Sequence, residues 1–201
     1  MRVRQLLLVL IGLTIIATLA GCGGSGEDQG QASTEDDVQA PTAPTSTQKQ
    51  DNQAQAPADK TLKLTVPAME HIQDDVIPTT VGDDENALRD YAAIHLDGTG
   101  FPWEDEANVY IAGHRLGYPG TESFLTFWDL DSVQEGDEID LSDANGKQYV
   151  YEVFKVFEVT PTDLHVAEPI EGRNLVTLQT CTLPDYINRL IVQAELKDSQ
   201  T

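Results

Sequence analysis

The stretch LVTLQTCTLPDYINRLIVQAE, residues 175–195, contains two strand patterns joined by a loop. An apolar, β-branched run ends at Cys181, and a second such run begins at Arg189. Runs of this composition on either side of a loop with proline predict two β-strands. The loop, residues 182–188, is short enough for the strands to be neighbours. The sequence therefore predicts a thiol and a guanidinium at the same end of a sheet.

A cysteine beside an arginine has a chemical use. Arginine stays cationic at any relevant pH, so it stabilises a neighbouring thiolate and can donate hydrogen bonds to an oxygen that gains negative charge. A leaving amine also needs a proton carrier. Of the four histidines, His114 follows the strong strand pattern ANVYIAG of residues 107–113, and we expect it to be this proton carrier. His95, which precedes a glycine-rich loop, is the alternative.

Three short segments carry a family resemblance: Gly113-His114-Arg115, the TLQTC run of residues 177–181, and Arg189 eight residues after the cysteine. Together they resemble the signatures of sortases, the cysteine transpeptidases of Gram-positive cell envelopes. Residues 129–138 and 160–166 also resemble segments of that family, and the resemblance covers residues 62–196. Its details are closest to the class E type.

The resemblance implies a role for each residue of the site. Cys181 would attack the Thr-Gly carbonyl of a sorting signal similar to Leu-Pro-x-Thr-Gly or Leu-Ala-x-Thr-Gly. Arg189 would stabilise the oxyanion, His114 would protonate the departing glycine amine, and Thr180 would help to fix the oxyanion or the substrate. An amine from a peptidoglycan precursor or a pilin lysine would then take the acyl group, which anchors surface proteins or polymerises pilins.

No cofactor is implied, and we expect no metal site, because no set of His, Cys or carboxylate residues has convincing ligand spacing. Two rival functions stay open. A cysteine hydrolase could use the same residues with water as the acceptor. A surface lipoprotein could instead bind peptides without catalysis.

Regularly spaced strand and turn patterns predict an all-β domain. The resemblance implies a closed, sortase-like barrel of seven to eight strands with one or two short helices, whereas periodicity alone also permits a sandwich. Asn145-Gly146 between two apolar runs predicts a hairpin. We expect Asp83 or Asp84 to cap a helix that ends near Ala92, and residues 124–130 to form another helical turn. Residues 160–171 should form a long connection over the active-site side.

The N-terminus predicts export. Arg2 and Arg4 precede an apolar run, residues 6–20, that is shorter than the ~20 residues of a typical membrane span. The Leu-Ala-Gly-Cys ending resembles a bacterial lipobox, so Cys22 is the expected lipidation site, although many sortases keep an uncleaved anchor. Either mode places the domain on the extracytoplasmic face of the membrane. We divide the chain into signal or anchor (1–22), disordered linker (23–60) and catalytic domain (61–201).

The amino-acid composition limits the classes of molecule that the chain can bind. The formal net charge is −22, from 34 acidic and 12 basic residues, so nucleic acid is excluded as a partner because phosphate binding needs clustered Lys and Arg. We expect a monomer. Lipidation of Cys22 would leave Cys181 as a lone thiol, since the chain has only two cysteines. A lone cysteine is often an apolar filler, but its combination with His114 and Arg189 favours a nucleophile.

Overall fold

A computed structural model describes the backbone of residues 56–200 and the side chains of residues 56–197. The predicted signal, the predicted lipidation site Cys22 and the linker up to residue 55 lie outside the described residues. None of the helices within residues 56–200 has the length and apolarity needed to cross a membrane.

The described residues form a single β-sheet with few helices, which confirms the all-β class. The sheet has nine strands, so the predicted number of seven to eight was too low. The shortest strand, Thr79–Thr80, has no room for a detectable alternation. In chain order the strands are β1 Leu62–Thr65, β2 Asp75–Ile77, β3 Thr79–Thr80, β4 Ile94–Leu96, β5 Ala107–Ala112, β6 Glu138–Asp143, β7 Gln148–Val159, β8 Asn174–Cys181 and β9 Arg189–Gln200.

The sheet curls into a nearly closed barrel. Its strand order is β2-β1-β6-β7-β9-β8-β5-β4-β3, so the two edge strands are β2 and β3. Only Pro78 separates these two strands in the chain, which holds the edges of the sheet close together. The pairs β3–β4 and β5–β8 are parallel, and every other neighbouring pair of this sheet is antiparallel.

Side chains that point inside the barrel form the main hydrophobic core. Alternate residues of the central strands supply much of it, as expected for a period of two. Burial of each large apolar side chain contributes roughly 1.5–3 kcal/mol. From β5, β8 and β9 the core residues are Val109, Ile111, Val176, Leu178, Leu190, Val192 and Ala194.

The opposite side of β5, β8 and β9, which we call the outer face, has its own smaller cluster. Tyr110 and Ile191 pack there against Val166, which belongs to the connection between β7 and β8. This connection, residues 160–173, contains a 3-10 helix at Leu164–Ala167. Asn108 fixes it by donating from Nδ2 to the carbonyls of Val166 at 2.9 Å and Glu168 at 3.0 Å.

The helices and the hairpin agree in part with the predictions made from the sequence. Helix α1, Glu85–Asp90, begins after Asp84, whose Oδ1 accepts from the Ala87 N–H at 3.0 Å, and it ends before the expected Ala92. The predicted hairpin joins β6 and β7 at Gly146, which has a φ of 82°. The helical turn expected at residues 124–130 was wrong. Leu125 has a φ of 62°, outside the helical region, and the 3-10 helix lies instead at Leu130–Ser132.

Candidate active site

The parallel pair β5–β8 brings the predicted base to the predicted nucleophile. Ala112 of β5 is the register partner of Gln179 of β8. The pairing continues beyond β5, because the Gly113 N–H donates to the Gln179 carbonyl at 3.0 Å. If the same register is extended by two residues from Ala112 and Gln179, His114 lies opposite Cys181.

The antiparallel pair β8–β9 brings the arginine to the other side of the thiol. Cys181 and Arg189 are direct register partners. The Thr182 N–H donates to the Asn188 carbonyl at 3.0 Å, so that pair is hydrogen-bonded and the Cys181–Arg189 pair beside it is not. Non-hydrogen-bonded partners have Cα atoms about 4.5 Å apart, and their side chains share a face. Three neighbouring strand ends thus gather His114, Cys181 and Arg189 on the outer face.

The thiol and the guanidinium are both accessible. Cys181 is a half-buried free cysteine, and Arg189 is half-buried beside it. Arg189 Nη1 donates only to backbone carbonyls, those of Asn188 at 3.2 Å and Tyr186 at 3.4 Å. No carboxylate within residues 56–197 forms an ion pair with this guanidinium. Its positive charge is therefore free to stabilise an anion at Cys181.

The His114 ring packs against Tyr118 and has a buried nitrogen without a partner among the described residues. Its Nε2 is buried and has no hydrogen-bond partner among the described residues. Tyr118 packs edge-on against the ring, with 5.5 Å between the ring centroids. The neighbouring Arg115 is only 4% exposed and pairs through Nη2 with Asp131 Oδ1 at 2.8 Å, which anchors the loop after His114. A fixed imidazole with an unused nitrogen can give or take a proton.

Thr180 has a structural bond that the sequence did not reveal. Its side chain alternates to the opposite face of β8 from Cys181, and it is 1% exposed. The hydroxyl donates to the Gly113 carbonyl at 2.9 Å, which ties β8 to the residue before His114. The predicted contact of Thr180 with the oxyanion or the substrate stays a prediction.

Sequence reasoning missed a set of polar side chains on the outer face below the three strand ends. Tyr110 Oη donates to Gln179 Oε1 at 2.6 Å, and Thr177 Oγ1 donates to Asn108 Oδ1 at 2.7 Å. Burial raises the pKa of Tyr110 to about 12 against a smaller opposing effect of the Arg189 charge, so its phenol is protonated and must donate. The one sequence signal that could have indicated this set is the presence of polar residues at alternate positions of a buried strand.

The alternative prediction, that His95 is the proton carrier, was wrong. His95 on β4 is fully buried, and its ring packs 4.7 Å from that of Phe101. Its Nε2 donates to the Gly100 carbonyl at 3.0 Å, so its Nδ1 accepts from the Thr79 hydroxyl at 3.0 Å. Desolvation lowers the pKa of His95 to about 4. With both nitrogens bonded and no charge at neutral pH, His95 supports the barrel instead of serving as a proton carrier.

Trp103, in the loop before β5, has a structural role. Its ring stacks on Phe101 with 4.7 Å between the centroids, and the residue is buried. Residues 56–197 contain no group of three or more His, Cys, Asp or Glu side chains arranged to hold a metal ion.

A family model described as the sortase domain matches residues 64–197. The chain belongs to the sortase family. It is similar to the Sortase A of Streptococcus agalactiae, with 34% identity over 91 residues, or 45% of this chain. That match spans only 36% of the streptococcal sortase, about a third of its length.

Solved sortase structures are similar over more of the chain. A lid mutant of Sortase A from Corynebacterium diphtheriae has 27% identity and a TM-score of 0.59, covering 72% of this chain and 73% of that one. Sortase C of Streptococcus pneumoniae has 25% identity and a TM-score of 0.60, and 73% of each chain is covered. These neighbours confirm the sortase-like barrel.

The buried His95 predicts a pH dependence of stability in this sortase. Its pKa is about 4 in the folded chain and 6.5 when solvated, so the unfolded chain binds the extra proton between these values. Stability contributed by neutral His95 is therefore present above pH 6.5 and falls as the pH drops toward 4. Between neutral pH and pH 5, we expect the free energy of unfolding of the unmodified chain to fall by about 2 kcal/mol more than that of the variant His95→Gln. Urea unfolding measures both free energies.

The control is His165→Gln, at an exposed histidine of the β7–β8 connection. It should keep the pH dependence of the unmodified chain, because an exposed ring is solvated in both states. Parallel stability curves for His95→Gln and the unmodified chain would contradict the assignment of His95 as a buried neutral residue.

Proposed function

We propose that this sortase-family chain is a cysteine transpeptidase. It cleaves the Thr-Gly bond of a sorting signal and transfers the acyl group to an amine. The observation that supports the proposal is the register of β5, β8 and β9, which sets side by side the strand ends that carry or precede His114, Cys181 and Arg189. Each side chain supplies one function that acyl transfer from a peptide needs: a nucleophile, an oxyanion partner and a proton carrier.

In the first half-reaction the Cys181 sulfur attacks the threonine carbonyl carbon, and the C–S bond forms. The carbonyl oxygen becomes an oxyanion, to which Arg189 donates hydrogen bonds. The tetrahedral intermediate collapses as the C–N bond breaks, and protonated His114 gives its proton to the departing glycine amine. A thioester to Cys181 and a neutral imidazole remain.

In the second half-reaction an amine attacks the thioester carbon, and His114 takes the proton that the amine releases. The C–S bond breaks as the new amide bond forms, which restores the thiolate and the imidazolium. The balance needs no redox partner. Water in place of the amine would give a free acid, which is the hydrolase alternative.

Exposed apolar side chains from three loops lie on the segments that meet at the site, where they offer a surface for peptide. Ile187 in the loop between β8 and β9 is 63% exposed, and Leu183 of the same loop is partly exposed. Leu116 and Tyr118 are exposed on the loop after His114, and Leu164 on the β7–β8 connection. A bound sorting peptide would cover such residues and limit the access of water to the thioester.

The substrate class follows from the same proposal. A signal similar to Leu-Pro-x-Thr-Gly or Leu-Ala-x-Thr-Gly is the expected donor, and the acceptor is an amine of a peptidoglycan precursor or a pilin lysine. The similar Streptococcus pneumoniae sortase C is described in connection with pilin substrate specificity, which supports testing pilin-derived amines. Surface-protein anchoring and pilin polymerisation differ only in this acceptor.

Lipid attachment at Cys22 is the proposed means of keeping the enzyme at the outer face of the membrane. We expect the mature chain to begin at a Cys22 that carries a diacylglyceryl group, because signal cleavage and lipidation act together at a lipobox. Intact mass spectrometry of the protein purified from membranes measures this. A mass that corresponds to the chain from an intact Met1 would contradict the proposal and favour an uncleaved anchor.

The nucleophile assignment predicts that Cys181→Ala gives neither ligated nor hydrolysed product. The measurement uses the full chain in detergent with a fluorescent Leu-Pro-x-Thr-Gly or Leu-Ala-x-Thr-Gly peptide and an excess of amine, resolved by chromatography. Ligated product identifies a transpeptidase, free acid identifies a hydrolase, and binding without either identifies the non-catalytic alternative. The control is Cys22→Ala, which removes the other cysteine and should leave ligation in detergent unchanged. An active Cys181→Ala protein would overturn the mechanism.

The oxyanion assignment predicts that Arg189→Lys loses at least about tenfold in kcat, because an ammonium group does not reproduce the planar donor fork of arginine. The control is Arg173→Lys. Arg173 precedes β8 at its far end and pairs with Glu195, so this substitution should leave kcat within about twofold. Equal kcat values for the unmodified chain and Arg189→Lys would mean that the guanidinium takes no specific part in the chemistry.

A further inference from the structure

We propose that Gln179 binds the sorting peptide, and that Tyr110 positions it for this purpose. The Gln179 side-chain N–H groups donate to a backbone carbonyl of the peptide, while the Tyr110 phenol holds the amide in the required orientation. This inference rests on the proposed function, since it concerns the same peptide at the same site. It adds a substrate contact that the three strand-end residues do not supply.

The location of Gln179 carries the first part of the argument. It precedes Cys181 by two residues, so both side chains project from the outer face, about 7 Å apart along β8. Its register partners are Ala112 on β5 and Ile191 on β9. Both partners are apolar, so Gln179 is the one polar side chain of the row directly below His114, Cys181 and Arg189.

The orientation of the Gln179 amide is fixed by Tyr110. Tyr110 is 4% exposed, and its phenol donates to Gln179 Oε1 at 2.6 Å. A buried phenolic proton needs an acceptor, and the carbonyl oxygen of the amide is the acceptor in contact with it. The Nε2 group must then point away from Tyr110. Within residues 56–197 this nitrogen has no hydrogen-bond acceptor, and the side chain is half-buried, so two N–H donors are available.

Gln179 also lies where the cover of the outer face ends. The β7–β8 connection covers Tyr110 in the row below and reaches as far as Ile191 in the row of Gln179, because Val166 packs on both residues. Lower still, Asn108 is buried and bonded to the backbone of the same connection. The row of Cys181 is open, and Gln179 is the first polar group between the two regions. A peptide that reaches Cys181 can therefore pass over Gln179.

The geometry of an extended peptide matches this spacing. Carbonyls of residues two apart point to the same side and lie about 7 Å from each other. When the scissile carbonyl is at Cys181, the carbonyl two residues away along the peptide thus meets the Gln179 donors. Because this bond is to the peptide backbone, it holds the register of the peptide at the thiol without selecting a side chain.

The test measures steady-state kinetics of the full chain in detergent with the fluorescent sorting peptide and an excess amine. Gln179→Met keeps the size of the side chain and removes its donors. We expect a rise in the KM of the peptide of roughly threefold to tenfold, the effect of one neutral hydrogen bond, with kcat within about twofold. Gln179→Glu keeps an acceptor for Tyr110 but has no donor, and it should raise KM at least as much.

Tyr110→Phe separates positioning from general damage. It releases the Gln179 amide, so KM should rise, and the double variant Tyr110→Phe/Gln179→Met should be no worse than Gln179→Met alone. The matched control is Gln193→Met. Gln193 lies one row lower and donates to Thr177 Oγ1 at 3.4 Å, so its loss should leave the KM unchanged. Thermal unfolding of every variant identifies any that is not folded.

Two results would overturn the inference. One is an unchanged KM in Gln179→Met and Gln179→Glu while the unmodified chain ligates. The other is a rise in KM in the double variant that equals the product of the rises in the two single variants. Peptide binding to the Cys181→Ala protein, measured by calorimetry, distinguishes this failure from failure of the proposed function. If the unmodified chain does not ligate, a weaker Kd for Gln179→Met in that background still supports the contact, and an unchanged Kd or no peptide binding refutes it.

Discussion

The parallel ladder between β5 and β8 is the constraint on which the site depends. Parallel strands end at the same edge of a sheet, so this ladder brings the His114 and Cys181 segments together although Gly113 and Thr180 are 67 residues apart. β9 then returns antiparallel through a short loop and adds Arg189 beside Cys181. A slip of one residue in the β8 register would turn the thiol into the core, because side chains alternate between faces. The core residues of β8 therefore fix the face on which the Cys181 side chain lies.

Charge distinguishes Arg189 from the other arginines that the structure describes. Arg89, Arg115 and Arg173 each pair with a carboxylate, those of Asp90, Asp131 and Glu195. In a chain with 34 acidic and 12 basic residues, such pairing is the expected state of a guanidinium. The Arg189 guanidinium donates only to neutral carbonyls, so no carboxylate of residues 56–197 neutralises its charge. A preorganised, uncompensated cation is what oxyanion stabilisation needs, since no existing ion pair must first be broken.

The sequence predicted those features that depend on short-range patterns. The two strands around Cys181 and Arg189, the Asp84 cap and the Asn145-Gly146 hairpin all rest on residues close together in the chain. The bond from Tyr110 to Gln179 joins residues 69 apart, and only the strand register makes them neighbours. The strand at residues 79–80 is too short for periodicity, and the left-handed Leu125 has no local signature. His95 and His114 likewise could be separated only by their burial and hydrogen bonds.

Alternation along β8 also separates stability from chemistry within one strand. Val176, Leu178 and Thr180 face inward and secure the barrel, whereas Gln179 and Cys181 face outward to the site. The two sets are nevertheless coupled at Thr180, because its hydroxyl bonds the backbone directly before His114. Thr180 thus ties the backbone before His114 to the strand that carries Cys181. This bond explains why a hydroxyl residue stands at position 180, whether or not Thr180 contacts the substrate.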